Sequence, residues 1–151
     1  MDSFSNTRLY LNDLSVGEFY VSGKFRLDAD QIKTFAQQFD PQPFYMDEQA
    51  AQDSVFLGLA ASGWQTAAIT MKLLSDSIPL ENAIIGGGKD ITWPNPTRPG
   101  DELQVVSEII SIIPSESKPD RGMVTIRSET FNQRGQLLQH LLAKLIVFRR
   151  G

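Results

Sequence analysis

At 151 residues the chain is long enough to bury one core without disulfide or metal staples. Its formal charge is −4, and the 14 Lys and Arg are scattered, whereas a nucleic-acid binder gathers its cations into a stripe to neutralise phosphates. With no cysteine and a single histidine, His140, disulfides, thiolate nucleophiles and cysteine metal sites are excluded, and an imidazole zinc site lacks ligands.

The chain opens "MDSFSNTRLYLNDL", without the basic segment and apolar core of a signal peptide, and nowhere does it run to the roughly 18 apolar residues of a membrane span. The expectation is a single cytoplasmic domain covering residues 1–151, not a membrane protein. "FYVSGKFRL" alternates, with Phe19, Val21, Phe25 and Leu27 on one side and Tyr20, Ser22, Lys24 and Arg26 on the other, which predicts a strand with one wet face. "DADQIKTFAQQF" reads as a helix with Asp28 as N-cap and Gln31 closing a capping box. A stronger helix follows at "ASGWQTAAITMKLLSDS". Ser62 is its N-cap, Gln65 its capping-box partner, and Trp64, Ala67, Ala68, Met71 and Leu74 its apolar face.

From Ile84 the pattern is nearly all strand. "AIIGGGKDITW" leads through a type II turn at Pro99-Gly100 into "DELQVVSEIISII". "MVTIRSETF" and "LLQHLLAKLIVF" then form a hairpin about "NQRG". Residues 114–122, "PSESKPDRG", read as a flexible loop. The three glycines at 86–88 have no helix after them, so they read as strand or bulge glycines rather than a phosphate loop. The order of elements predicts an α+β protein, an antiparallel sheet covering one central helix.

Three stretches carry chemistry. "FAQQFDPQPFYMD" gathers Asp40, Gln42, Pro43, Tyr45 and Asp47; "FLGLAASGWQT" contains Ser62, Gly63 and Trp64; "DITWPNPTRPGDEL" contains Trp93, Pro96, Gly100 and Asp101. In this order and spacing they resemble the MaoC-like hydratase/dehydratase family of the hot-dog fold, over roughly residues 16–148. The family loop has the form D-x-(N/Q)-P-x-H-x-D, and here Tyr45 stands at the histidine.

The resemblance implies a hot-dog fold, a homodimer, and addition of water to a trans-2-enoyl thioester of coenzyme A or the reverse dehydration. No cofactor is implied beyond that thioester. The site residues carried over are Asp40 as base, Tyr45 as its altered partner, and Gly63, whose amide at the helix start polarises the thioester carbonyl. Each role has a physical basis. A placed carboxylate base contributes about 10²–10⁴ in rate. A helix N-terminus suits a developing enolate oxygen. Gly63, without a Cβ, allows close approach to the backbone. Tyr45 cannot act as an ordinary base, because only about one phenol in a thousand is ionised at neutral pH.

Plainer readings stand beside these. Asp40 can cap the turn at Pro41, Tyr45 can be a pocket wall, Ser62 reads as a helix cap alone, and Gly63 can serve close packing. Trp93, Pro96 and Asp101 read as structural, and Arg98 as half of a surface salt bridge rather than a phosphate ligand. His140 lies outside the motif. The alternatives to a hydro-lyase are an acyl-CoA thioesterase and a non-catalytic acyl-thioester-binding protein.

Overall fold

Strand β1, Phe19–Arg26, loses its period of two half-way along. The computed structural model describes residues 7–151, apart from the side chain of Lys89; residues 1–6, the start of the segment read above for a signal peptide, lie outside it. Between Val21 and Lys24 the register of β1 against β3 (Glu102–Pro114) shifts. Ser22 fixes this bulge: its Oγ accepts from the Val105 N–H at 2.8 Å and donates to the Gly23 carbonyl at 2.6 Å. A bulge sends the following side chains to the opposite face. Phe19 and Val21 therefore point outward, 62% and 61% exposed, while Phe25 and Leu27 pack into the core. The expected single dry side holds only for the second half of the strand.

Helix α1, Ala29–Phe39, starts as its sequence predicts: the Gln31 N–H donates to Asp28 at 2.8 Å and the Asp28 N–H to Gln31 at 2.9 Å. Two short helices follow, α2 (Pro43–Met46) and α3 (Glu48–Gln52), and then the central helix α4 (Gly63–Ser77). Ser62 caps α4 by accepting from the Trp64 N–H at 3.2 Å. The expected capping box does not close, because the Gln65 side chain turns away and donates to the Gln31 carbonyl at 3.0 Å.

The buried face of α4 also differs from the predicted stripe. Thr66, Ile69, Thr70, Leu73 and Leu74 are buried, while Trp64 is 60% exposed and Ala68 is open. Hydrophobic periodicity counts the threonines as polar. Here their hydroxyls pair with others, Thr66 with Thr97 at 3.0 Å and Thr70 with Thr130 at 2.6 Å, which removes the cost of burying them.

Strands β2 (Ile84–Thr92), β3, β4 (Arg121–Phe131) and β5 (Leu137–Phe148) join β1 in one antiparallel sheet of order β1-β3-β4-β5-β2. The α+β expectation holds, with α4 packed on the sheet. Two apolar clusters fill the space between them. One gathers Leu74, Ile78, Ile109 and Leu145; the other gathers Leu27, Ile69, Leu73 and Leu103. Gly100 has φ +88° inside a turn closed by the Asp101 N–H donating to the Arg98 carbonyl at 3.1 Å, as a type II turn requires. Register shifts flank Gly87 and Gly88, so the glycine run serves bulges in β2. Residues 114–122 form a loop shorter than expected, because its ends belong to β3 and β4. Pro114 pairs with Gly122 and the Ser115 N–H donates to the Arg121 carbonyl at 3.0 Å, which confines the loop to residues 116–120.

The Thr70–Thr130 pair yields a test. Thr70→Val leaves a buried Thr130 hydroxyl unpartnered and should cost about 1–3 kcal/mol in urea unfolding. The double variant Thr70→Val/Thr130→Val should recover most of the loss, because neither hydroxyl then remains to be satisfied.

Candidate active site

Asp40 closes α1: its N–H donates to the Ala36 carbonyl at 2.9 Å, and Pro41 prevents another turn. Its side chain does not cap that turn. The Asp40 Oδ2 atom accepts a hydrogen bond from Ser62 Oγ at 2.7 Å, across 22 residues of sequence. Ser62, only 1% exposed, is therefore more than the cap expected of it. Gly63, next in the chain, opens α4, and like every first helical residue its N–H has no carbonyl one turn back to bond.

The space beside Gly63 is already filled. A Cβ there would lie 2.7 Å from Trp93 Cε2, so the glycine lets an indole, rather than a ligand, lie against that side of the helix start. Trp93 is held by its own N–H, which donates to Gln139 Oε1 at 2.8 Å, and Trp64 meets it edge-on at 5.4 Å between centroids.

Tyr45 lies in α2, with its ring 4.7 Å from Phe44 and 5.9 Å from Phe56. Burial pushes its phenol above the ordinary value of 10, and the negative charge of nearby Asp40 adds to the rise, since both disfavour a phenolate. Tyr45, Phe56, Gly63, Thr66, Trp93 and Thr97 stand among the walls of a cleft of about 380 Å³. Asp40 is not one of its walls; it joins the site through Ser62. The structure thus gathers Asp40, Ser62, Gly63 and Tyr45 at one end of α4.

Among the described residues Arg98 makes no salt bridge. Its guanidinium donates to the carbonyls of Phe56 at 2.5 Å, Gly58 at 3.0 Å and Leu59 at 3.2 Å. Leu57 has φ +55° and Gly58 φ +153°, so Arg98 clasps a bent segment that carries Phe56 to the cleft. Asp101, 2% exposed, supports the clasp by accepting from the Arg98 N–H at 2.9 Å. Asp47 caps α3, accepting from the Ala50 N–H at 2.8 Å. His140 lies 3.6 Å from Glu129 on the sheet face turned away from α4, outside the site. Sequence reasoning missed Arg98 and Phe56 as site-building residues. An arginine bonded to carbonyls leaves no partner side chain to detect.

The family model of the MaoC like domain matches residues 16–130. The chain belongs to that family. An uncharacterized Bacillus subtilis protein, YdeM, is 32% identical over 126 residues, which are 82% of this chain and 88% of that protein. Among solved structures, a MaoC-like dehydratase from Rhodospirillum rubrum is 54% identical, with TM-score 0.91, covering 95% of this chain and 99% of that one. An (R)-hydratase from A. caviae has TM-score 0.70 at 24% identity, over 87% of this chain and 96% of its own, a likeness of fold. The α+β architecture is thus the hot-dog fold.

Two outcomes follow from the site's geometry. Gly63→Ala should push the Trp93 indole aside, cost about 1–3 kcal/mol as overpacking does, and alter tryptophan fluorescence. In an ultraviolet titration, the difference between wild type and Tyr45→Phe should be a single phenol ionising above pH 10, since burial and Asp40 both oppose the phenolate.

Proposed function

We propose that this MaoC-like protein adds water to a trans-2-enoyl thioester of coenzyme A, or catalyses the reverse dehydration. Asp40 takes a proton from water as the oxygen bonds to C3, and the proton passes to C2 as the enolate collapses. The Gly63 N–H and the positive end of α4 stabilise the enolate oxygen that forms in between. Tyr45, neutral throughout the working range, donates a hydrogen bond to the water or the product hydroxyl and leaves Asp40 as the sole base. The reaction needs no cofactor beyond the thioester. One observation carries the reading: the hydrogen bond from Ser62 brings a carboxylate to the residue adjoining the unpaired amide that opens α4.

The presence of Tyr45 favours a second reading, a thioester-binding or thioester-hydrolysing protein that has kept the pocket without the hydration step. The two separate in one assay. Purified protein is mixed with crotonyl-CoA, and loss of the enoyl absorbance is followed alongside release of free thiol. Hydration without thiol supports the lyase; thiol release, or binding without reaction, supports the second reading. In the lyase, Asp40→Asn should lower the rate by about 10²–10⁴, since an amide keeps the shape but accepts no proton. Tyr45→His should raise it, because imidazole exchanges protons near neutral pH. A large fall in Tyr45→Phe would assign the donor role to the hydroxyl.

A homodimer belongs to this proposal. Among the described residues strand β2 ends the sheet with one side unpaired, and Ile84 and Ile85 are 55% and 47% exposed there. An open edge with apolar side chains is a surface for a second copy. Light scattering at micromolar concentration should give twice the 16.8 kDa chain mass, and a monomer would remove the dimer from the proposal.

A further inference from the structure

We propose that Ser62 is a positioning residue for the reaction: its hydroxyl sets where the Asp40 carboxylate stands relative to the start of α4. This rests on the reading of Asp40 as the base. The Ser62 hydroxyl has one proton to give, and Asp40 Oδ2 receives it at 2.7 Å. One lone pair of the same oxygen takes the Trp64 N–H at 3.2 Å. A single buried oxygen thus joins the end of α1 to the first turn of α4. At 1% exposure, Ser62 is closed to water that would replace either partner.

The geometry separates this task from capping. A cap needs only an acceptor or a permissive backbone, which glycine, asparagine and aspartate also provide. Holding a carboxylate requires a donor. Ser62 supplies both, and because it binds Oδ2, the Oδ1 atom of Asp40 stays available for the proton of a water molecule. Gln65, three residues on, ties α4 to the opposite end of α1 through the Gln31 carbonyl at 3.0 Å. That bond sets the spacing of the backbones. The bond from Ser62 sets the position of the reacting atoms.

Two substitutions divide the roles. Ser62→Gly removes the donor while costing the cap little, since glycine is tolerated at N-caps. Ser62→Thr keeps donor and acceptor. In crotonyl-CoA hydration, Ser62→Gly should lower kcat by about tenfold to hundredfold, the scale of a misplaced catalytic group, and leave KM within about twofold. Ser62→Thr should restore kcat to within about threefold of wild type at that scale. A Ser62→Gly enzyme with wild-type kcat, or a Ser62→Thr enzyme as slow as Ser62→Gly, overturns the proposal. A second readout does not depend on activity. The ¹³C carboxyl resonance of Asp40, assigned by its loss in Asp40→Asn, should move in Ser62→Gly and stay in place in Ser62→Thr. If wild type shows no hydration, the proposed activity fails while the Ser62–Asp40 link is judged on this resonance, and an unmoved resonance overturns the link.

Discussion

The seating of α4 against the sheet is the constraint from which the rest of the structure follows. Ile69, Leu73 and Leu74 supply the apolar contact, and burial of each such side chain is worth about 1.5–3 kcal/mol. Apolar contact alone tolerates rotation and sliding of a helix. The pairs Thr66–Thr97 and Thr70–Thr130 do not, because either hydroxyl would be buried without a partner after a shift. They are four residues apart on the helix, so together they hold both its rotation and its position along its axis. That decides where α4 begins, and with it the place of Ser62 and the Gly63 amide.

The remaining parts of the site hang on that starting point. Asp40 reaches it from α1, Tyr45 from α2, Phe56 from the segment before α4, and Trp93 from the end of β2. Three of these four are held by a polar anchor, and Tyr45 is held by its ring contacts with Phe44 and Phe56. Ser62 holds Asp40, Arg98 holds the backbone of Phe56, and Gln139 holds Trp93. Sites whose supporting contacts are fixed in this way keep their geometry without help from substrate.

The electrostatics of the cleft follow from the same arrangement. A carboxylate beside a half-buried phenol keeps that phenol in its donor form, which an imidazole at the same position would not be. The site therefore divides its groups by proton state, with Asp40 able to accept and Tyr45, Ser62 and the Gly63 amide able to donate. This matches a reaction in which negative charge develops on a substrate oxygen while one proton is removed from water.

Much of the fold is legible in the residues themselves, because alternation, capping and turn chemistry are local. The capping box of α1, the type II turn at Pro99-Gly100, the hairpin at Gly135 and the strand β5 all stand where nearby residues predict them. The motifs of residues 40–47 and of Ser62-Gly63-Trp64 likewise come together at the start of α4. What the residues did not disclose depends on partners distant in sequence. Ser22 reverses β1 only because Val105 N–H meets it. Thr66 and Thr70 turn inward only because Thr97 and Thr130 are there to pair with them. Arg98 bonds backbone because three carbonyls converge on it, and Ser62 serves Asp40 because the ends of α1 and α4 meet. Local pattern determines what an element is; which face of it is buried, and which atoms its polar groups bond, is decided when distant segments of the chain come together.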